Sequence, residues 1–133
     1  MAPRLVLDRA PVGAAEPAAL AEAQQSVVDH VGGPLLVLAG PGTGKTTTVV
    51  EAVAARLGAE PGTEGAARPD EVLVLTFGRA AAAEVRDRVV ARVGGGLVPQ
   101  VSTFHAFAFA LLRAHQDPEL FAEPLRLLPG PEQ

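Results

Sequence analysis

The chain has 133 residues, enough for one small domain, and its 48% hydrophobic and 20% charged residues are ordinary for a folded α/β protein. Its apolar runs are too short to cross a membrane or to form a signal peptide, so we expect a cytoplasmic protein. The absence of cysteine excludes disulfides, and three scattered histidines do not predict a structural zinc site. A net charge of −4 argues against binding duplex nucleic acid by bulk electrostatics, although it leaves single-strand contacts through a few side chains open.

The first predicted elements are an N-terminal extension over residues 1–16 and a helix that opens a domain over residues 17–133. Pro17 suits the first position of that helix, and apolar residues at three- and four-residue spacing predict that it continues to about Val31. A Gly-Gly-Pro sequence ends it. The four apolar residues that follow, 35–38, predict a buried strand.

This strand leads into AGPGTGKT, a glycine-rich loop that is followed by a helix. In such a loop successive backbone N–H groups point into one concavity, and the helix start adds unpaired N–H groups, so the pattern predicts a phosphate site. Lys45, the only lysine in the chain, would reach the β- and γ-phosphates, and the Thr46 hydroxyl would hold Mg²⁺; both would serve catalysis. Ala39 stands where the strict pattern has glycine. The predicted nucleotide-binding residues here are Ala39, Gly40, Pro41, Gly42, Thr43, Gly44, Lys45, Thr46 and Thr47.

Strands and helices continue to alternate after the loop. The helix that begins near Lys45 is predicted to end at Gly58, and a turn-forming loop covers residues 59–69. Residues 72–75 form a second apolar run, typical of a parallel strand buried on both faces. A third helix is predicted over about residues 80–93. The apolar face of the second helix would be Val50, Val53 and Leu57, and that of the third Ala81, Val85, Val89 and Val93.

The last elements are a short strand at residues 98–103, a helix at 104–115 and a proline-containing tail at 119–133. The order strand–helix, repeated three times with short turns, predicts the α/β class with a parallel sheet and ligands at the carboxyl ends of its strands.

Hydroxyl and aromatic side chains follow the second and third predicted strands, at the edge that would also hold the phosphate loop. Hydroxyls, helix-start N–H groups and Arg79 suit contacts with a phosphate backbone, and flat side chains offer surfaces on which bases could stack. Core packing of a phenylalanine and helix capping by a threonine are the alternatives. Phe107 is expected in the core. The predicted DNA-binding residues are Thr76, Phe77, Arg79, Thr103, Phe104 and His105.

Three stretches together resemble the UvrD/Rep/PcrA family of superfamily 1 DNA helicases. LVLAGPGTGKTTT is similar to the family's ATP-binding motif, VLTFGRAAAAEVRDRV to its motif Ia and VSTFHAFAFALLRAH to its motif Ib. Upstream, Gln24 occupies the position of the family's adenine-reading glutamine, with Gln25 as a weaker candidate and a solvated helix glutamine as the alternative. The resemblance covers about residues 17–116.

The resemblance implies an incomplete RecA-like P-loop NTPase domain, with ATP and Mg²⁺ as cofactors and no membrane partner. It implies 3′-to-5′ movement along single-stranded DNA, a role in DNA repair, and strand contacts by Thr76, Phe77, Thr103 and His105. Where the family often has Thr-Asn-Lys, this chain has Gly-Arg-Ala at 78–80, which is more similar to helicase–nuclease relatives of the AdnA/AdnB kind and to a partner subunit of that type.

Hydrolysis also needs an acidic residue at the end of a further apolar strand. Asp70 and Glu71 precede their strand, and Asp117, Glu119 and Glu123 follow a helix. We therefore expect a partial ATP-binding domain, truncated before the Walker B motif, that binds ATP but turns it over poorly alone. A small kinase would need substrate-side acids and lid arginines that the sequence does not show. A non-catalytic nucleotide-binding or regulatory module is the remaining alternative.

Overall fold

The computed structural model describes residues 15–96 and 98–115; most of the predicted extension and the predicted tail lie outside these residues. No helix among them is long and apolar enough to cross a membrane. The elements are α1 (Glu22–Asp29), α2 (Lys45–Gly58), a 3-10 helix (Pro69–Glu71), β1 (Leu73–Thr76), α3 (Arg79–Val93), β2 (Gln100–Thr103) and α4 (Phe104–Ala114).

A two-stranded parallel sheet carries the predicted α/β architecture. β1 and β2 pair from Leu73 opposite Gln100 to Thr76 opposite Thr103, and α3 is the connection between them. The two strands end in register, so the residues that follow them meet at one edge, as predicted. The prediction that β1 is buried on both faces was wrong, because Leu73 is 40% exposed and the other three residues are only partly buried.

The predicted strand at residues 35–38 is not part of this sheet. The segment has no regular secondary structure and no strand partner in the described residues, and Leu36 and Leu38 are 83% and 87% exposed. A strand needs a neighbour to accept and donate its ladder hydrogen bonds, and in the described part of the chain β1 and β2 pair only with each other. The expected edge with three strand ends is therefore an edge with two.

The hydrophobic core lies between α2, α3 and β2. Val89 of α3 is completely buried, and Ala82 and Val85 lie on the same face because residues three and seven apart share one side of a helix. The predicted row was right for Val85 and Val89, and Val93 is partly buried against the core, but Ala81 is exposed. The other core residues are Val50, Val53 and Leu57 of α2, as predicted, and Val101 of β2.

Helix α1 is shorter than predicted, since it starts at Glu22 rather than Pro17 and ends at Asp29 rather than about Val31. Its start is set by Gln24, whose Oε1 accepts from the N–H of Ala21 at 2.9 Å. The residues before it have no regular secondary structure, and among them the N–H of Ala18 donates to the Glu51 carboxylate at 3.2 Å.

Helix α4 packs loosely on the sheet. It begins where predicted, at Phe104, and the hydroxyl of Thr103 caps it by accepting from the N–H of Ala106 at 3.2 Å. Phe107, expected in the core, is only half-buried, and no residue of this helix is fully buried.

Candidate functional site

The glycine-rich loop has the backbone conformation that its glycines predict. Gly42 and Gly44 have φ angles of +73° and +78°, in the left-handed region that only glycine adopts readily. The Thr43 hydroxyl donates to the carbonyl of Gly40 at 2.8 Å across the loop, which closes it into a compact turn. Gly44 is the N-cap of α2 and offers no side chain, so the N–H groups of the first turn have no side-chain acceptor.

Lys45 lies over this loop at the start of α2. Its ammonium donates to the carbonyl of Gly40 at 2.6 Å and, more weakly, to that of Ala39 at 3.4 Å. No carboxylate within residues 15–96 and 98–115 forms an ion pair with it. The first turn of α2 contains no acidic residue. A lysine held by neutral carbonyls beside a helix N-terminus keeps its positive charge uncompensated and suits an anion.

Three consecutive threonines follow Lys45 and have different surroundings. The Thr48 hydroxyl donates to the carbonyl of Gly44 at 3.1 Å, and the Thr47 hydroxyl accepts from Arg88 of α3 at 2.7 Å. The Thr46 hydroxyl has no hydrogen-bond partner in the part of the chain that the structure describes. The side chain of Thr47, predicted to bind nucleotide, is therefore directed to α3, and only its backbone N–H belongs to the helix start.

Gln24 of α1 reaches the same loop, as its predicted role requires. Its Nε2 donates to the carbonyl of Thr43 at 3.1 Å, while Oε1 accepts from Ala21. A primary amide has two N–H donors and two carbonyl lone pairs. These two bonds leave one donor and one acceptor, which is the complement of the N7 and N6 positions of adenine. Gln25 instead donates to Asp29 on its own helix at 2.8 Å and does not reach the loop.

A cavity of about 600 Å³ lies between α1, the loop and α2. Gln24, Thr43 and Lys45 supply polar groups to it, and Val27 and Val37 are among its apolar walls. A mainly apolar cavity with a few converging polar groups is typical of a small-molecule site.

Two aromatic rings mark the carboxyl edge of the sheet. Phe77 follows β1 and is 90% exposed, and Phe104 follows β2 and is 44% exposed. Their ring centroids are 5.0 Å apart with a tilt of 35° between the planes. Core packing, the alternative for these two residues, is therefore not what the described residues show. Exposed aromatic rings offer apolar faces of the kind on which nucleobases stack.

Polar groups surround this pair of rings. The Thr76 hydroxyl donates to the carbonyl of Gly78 at 3.0 Å, and the Thr103 hydroxyl serves as the α4 cap, so both also have local structural roles. Arg79 and His105 are exposed at the first turns of α3 and α4. The structure thus brings all six predicted DNA-binding residues to one edge, while Gln24 and the loop form a separate group.

Comparison with known proteins identifies the family of the chain. The family model for the UvrD/REP helicase N-terminal domain matches residues 20–126, most of the chain. The chain belongs to the UvrD/REP helicase family. The ATP-dependent DNA helicase UvrD1 of Mycobacterium leprae is 39% identical to it over 92 residues, or 68% of this chain and 11% of that protein. UvrD2 of Mycobacterium tuberculosis is 38% identical over 102 residues, or 72% of this chain and 14% of that protein.

A probable DNA helicase II homolog of Rickettsia conorii is likewise 38% identical over 91 residues, or 13% of its length. The chain therefore spans only a small part of the UvrD/REP relatives that it matches. The resemblance in the three motifs is confirmed at the level of this family.

One feature of this UvrD/REP domain was missed in the sequence, namely a pair of polar links between α2 and α3. Thr47 and Glu51, four residues apart on α2, contact Arg88 and Arg92, four residues apart on α3. Residues four apart share one helix face, so the matching spacing was the available signal. The partners of the two arginines could not be predicted, because sequence spacing does not say which helix packs beside which.

Proposed function

We propose that the chain is the ATP-binding front part of a RecA-like helicase motor that acts with the rest of such an enzyme on DNA. The observation that carries the proposal is the convergence of Lys45, the open start of α2 and Gln24 on one loop and cavity. The names of the relatives, ATP-dependent DNA helicases UvrD1 and UvrD2, support the same reading.

The residues of the loop fit a nucleotide with its metal. Triphosphate oxygens would replace the carbonyls of Gly40 and Ala39 as acceptors for Lys45, and the first-turn N–H groups of α2 would add further donors. Mg²⁺ takes oxygen ligands, and Thr46 is the hydroxyl of its threonine run that is free to serve as one. Bound Mg²⁺ would neutralise charge on the β- and γ-phosphates.

The same cavity supports selection of adenine. Gln24 keeps one N–H and one carbonyl lone pair free, which adenine satisfies, whereas guanine presents two acceptors at the corresponding positions. Good bidentate pairs discriminate by about 1–3 kcal/mol, so we expect ATP to bind roughly 5- to 150-fold more tightly than GTP.

The metal role of Thr46 is tested by ATP titrations with Mg²⁺ and with EDTA. We expect Mg²⁺ to strengthen ATP binding by the full chain, and Thr46→Ala to remove most of that gain while leaving the affinity in EDTA unchanged. Thr63→Ala, in an exposed loop, is the matched control and should keep the full gain. An unchanged Mg²⁺ effect in Thr46→Ala would show that another group holds the metal.

We further propose that the edge around Phe77 and Phe104 contacts single-stranded DNA. The exposed ring pair offers a stacking surface, and Arg79 and the uncapped start of α3 offer donors for phosphates. The positive charge at this edge comes from Arg79 and the start of α3, and such a local contact is compatible with a net charge of −4 for the chain. Movement in the 3′-to-5′ direction and a helicase–nuclease partner remain implications of family resemblance.

Removal of the more exposed ring tests the DNA surface. Stacking is worth about 1–3 kcal/mol per base, so Phe77→Ala should weaken binding of an oligothymidylate roughly 5- to 150-fold. Fluorescence anisotropy would measure this, with the chain in the presence of ATP. Leu112→Ala, which removes an exposed apolar side chain from α4, should have no effect. Equal losses in the two variants would argue against a stacking role.

Slow turnover by this chain is also part of the proposal. No carboxylate lines the cavity beside the loop in the described residues. Asp70 and Glu71 lie in the 3-10 helix before β1, away from the carboxyl end of that strand, and are paired with Arg68. The hydrogen bond from Arg68 to Asp70 raises the pKa of Arg68. Because none of the described residues places an acid at the loop to orient water, we expect ATP binding without DNA-stimulated hydrolysis at motor-like rates.

A further inference from the structure

Glu51 is a buried carboxylate that the proposed nucleotide site does not use. It lies on α2, less than two turns after Lys45, and is 7% exposed. Both of its carboxylate oxygens accept from Nε of Arg92 on α3, at 3.1 and 3.0 Å. A buried carboxylate costs free energy unless it is paired and hydrogen-bonded, so Glu51 depends on the groups that donate to it.

The Glu51–Arg92 pair also binds the chain that precedes α1. The N–H of Ala18 donates to Oε1 of Glu51 at 3.2 Å, and Arg92 donates to the carbonyl of Ala15 at 3.3 Å. The N–H of Ala15 donates to the carbonyl of Ala91 on α3 at 2.8 Å. Residues 15–19 are exposed, so hydrogen bonds rather than burial hold this segment in place.

The segment leads directly into the helix that carries Gln24. Helix α1 has eight residues and one buried side chain, Val28, so its own packing fixes its position only weakly. Its other end is held by Arg56 of α2, which donates to the carbonyl of His30. The two ends of α1 are thus tied to α2 by polar contacts, and Gln24 lies between them, over Thr43.

We propose that Glu51 and Arg92 are positioning residues for base recognition: they hold the chain before α1 so that the Gln24 amide faces the nucleotide base. This inference rests on the proposed function, in which Gln24 reads adenine. It assigns to the pair a role in selectivity among nucleotides. The phosphates depend on Lys45 and the loop, which the pair does not touch.

The test compares three probes with the full chain: ATP, GTP and inorganic tripolyphosphate, which has no base. In Glu51→Gln we expect the ATP-to-GTP affinity ratio to fall about fivefold to tenfold, the range of one ordinary intramolecular hydrogen bond, with tripolyphosphate affinity unchanged. Glu84→Gln is the matched control, because Glu84 is an exposed helix glutamate paired with Arg88 that does not contact the segment before α1. It should keep the ratio.

A second variant tests whether the effect of Glu51→Gln comes from destabilisation of the fold. Ala18→Pro removes the N–H that donates to Glu51 without changing the Glu51 or Arg92 side chains, so we expect a smaller fall in the ratio at an unchanged melting temperature. A role in stability alone would weaken binding of all three probes together, and that result would overturn the proposal.

The Gln24→Ala variant separates the positioning role of Glu51 and Arg92 from the adenine-reading role of Gln24. It should abolish the ATP preference, and adding Glu51→Gln to it should cause no further loss. If Gln24→Ala lowers the ratio while Glu51→Gln and Ala18→Pro do not, the positioning role fails and the adenine-reading role stands. If Gln24→Ala leaves the ratio unchanged, both fail, although phosphate binding by the loop would still stand.

Discussion

Gly44 meets two separate requirements at the boundary between the loop and α2. Its φ of +78° is a conformation that side chains disfavour, and a Cβ built on it would lie 2.6 Å from Nε2 of Gln24. Strain in the backbone and obstruction of the base-reading amide are thus combined in one residue. Gly62 has a positive φ without a close neighbour, and Gly58 has neither feature, so comparison with these two residues separates the effects.

Substitution of three glycines by alanine should give three different outcomes. Gly44→Ala should lose about 1–2 kcal/mol of stability through strain and should also weaken ATP binding, since Gln24 must move. Gly62→Ala, at φ +88° with nothing near its Cβ, should lose similar stability and keep ATP affinity. Gly58→Ala, in open space within α2, should change neither for the worse. Thermal melts and ATP titrations would measure both, and equal ATP affinity in all three would contradict the account of Gly44.

At the residue scale, the conformation of the loop could be predicted because the spacing of its glycines is a local backbone pattern. Of the two glutamines, Gln24 contacts the loop and Gln25 does not, while the binding roles of Lys45, Thr46 and Gln24 stay predictions. The Glu51–Arg92 pair could not be predicted in the same way, because a glutamate in a helix is usually solvated and only tertiary packing brings this one beside Arg92.

Helices α2 and α3 are the elements that connect the two proposed sites. Helix α2 begins at the phosphate loop, and α3 begins just beyond the exposed end of β1. Their apolar faces form the core around Val89, and the Arg88–Thr47 and Arg92–Glu51 links lie on the same seam. Stability of the domain should therefore depend strongly on this seam.

Val89→Ala tests that dependence. Val89 has no exposed surface, so its truncation should cost about 2–3 kcal/mol through lost burial and a residual cavity. Val49→Ala, on the solvent side of α2 at 40% exposure, should change stability by less than about 0.5 kcal/mol. Urea unfolding would measure both values. Similar costs at the two positions would mean that the core lies elsewhere.

At the level of elements, the helices were easier to predict than the sheet. Capping residues and apolar rows belong to a single segment, so α2, α3 and α4 have nearly the predicted bounds. A strand depends on its neighbours, and residues 35–38 have the composition of a buried strand without a partner in the described residues. Composition alone could not show that the partner is missing, because an apolar run predicts burial but does not identify the neighbour that would bury it.

On the scale of the whole molecule, the chain belongs to the UvrD/REP helicase family. The chain matches the family's N-terminal domain and covers 11% to 14% of the relatives described above. Its proposed contribution to a helicase is to bind ATP and one face of a DNA strand. Of these two proposed roles, ATP binding is the one that rests on the larger set of converging contacts.

Isothermal titration of MgATP into the full chain and its Lys45→Ala variant tests this claim most directly. We predict saturable one-site binding by the unchanged chain. The variant should bind roughly 10- to 150-fold more weakly, since a hydrogen bond to a charged group is worth about 1.5–3 kcal/mol. Circular dichroism should show the same helix content in both. Equal affinity in the two proteins, or no binding by the folded unchanged chain, would contradict the account.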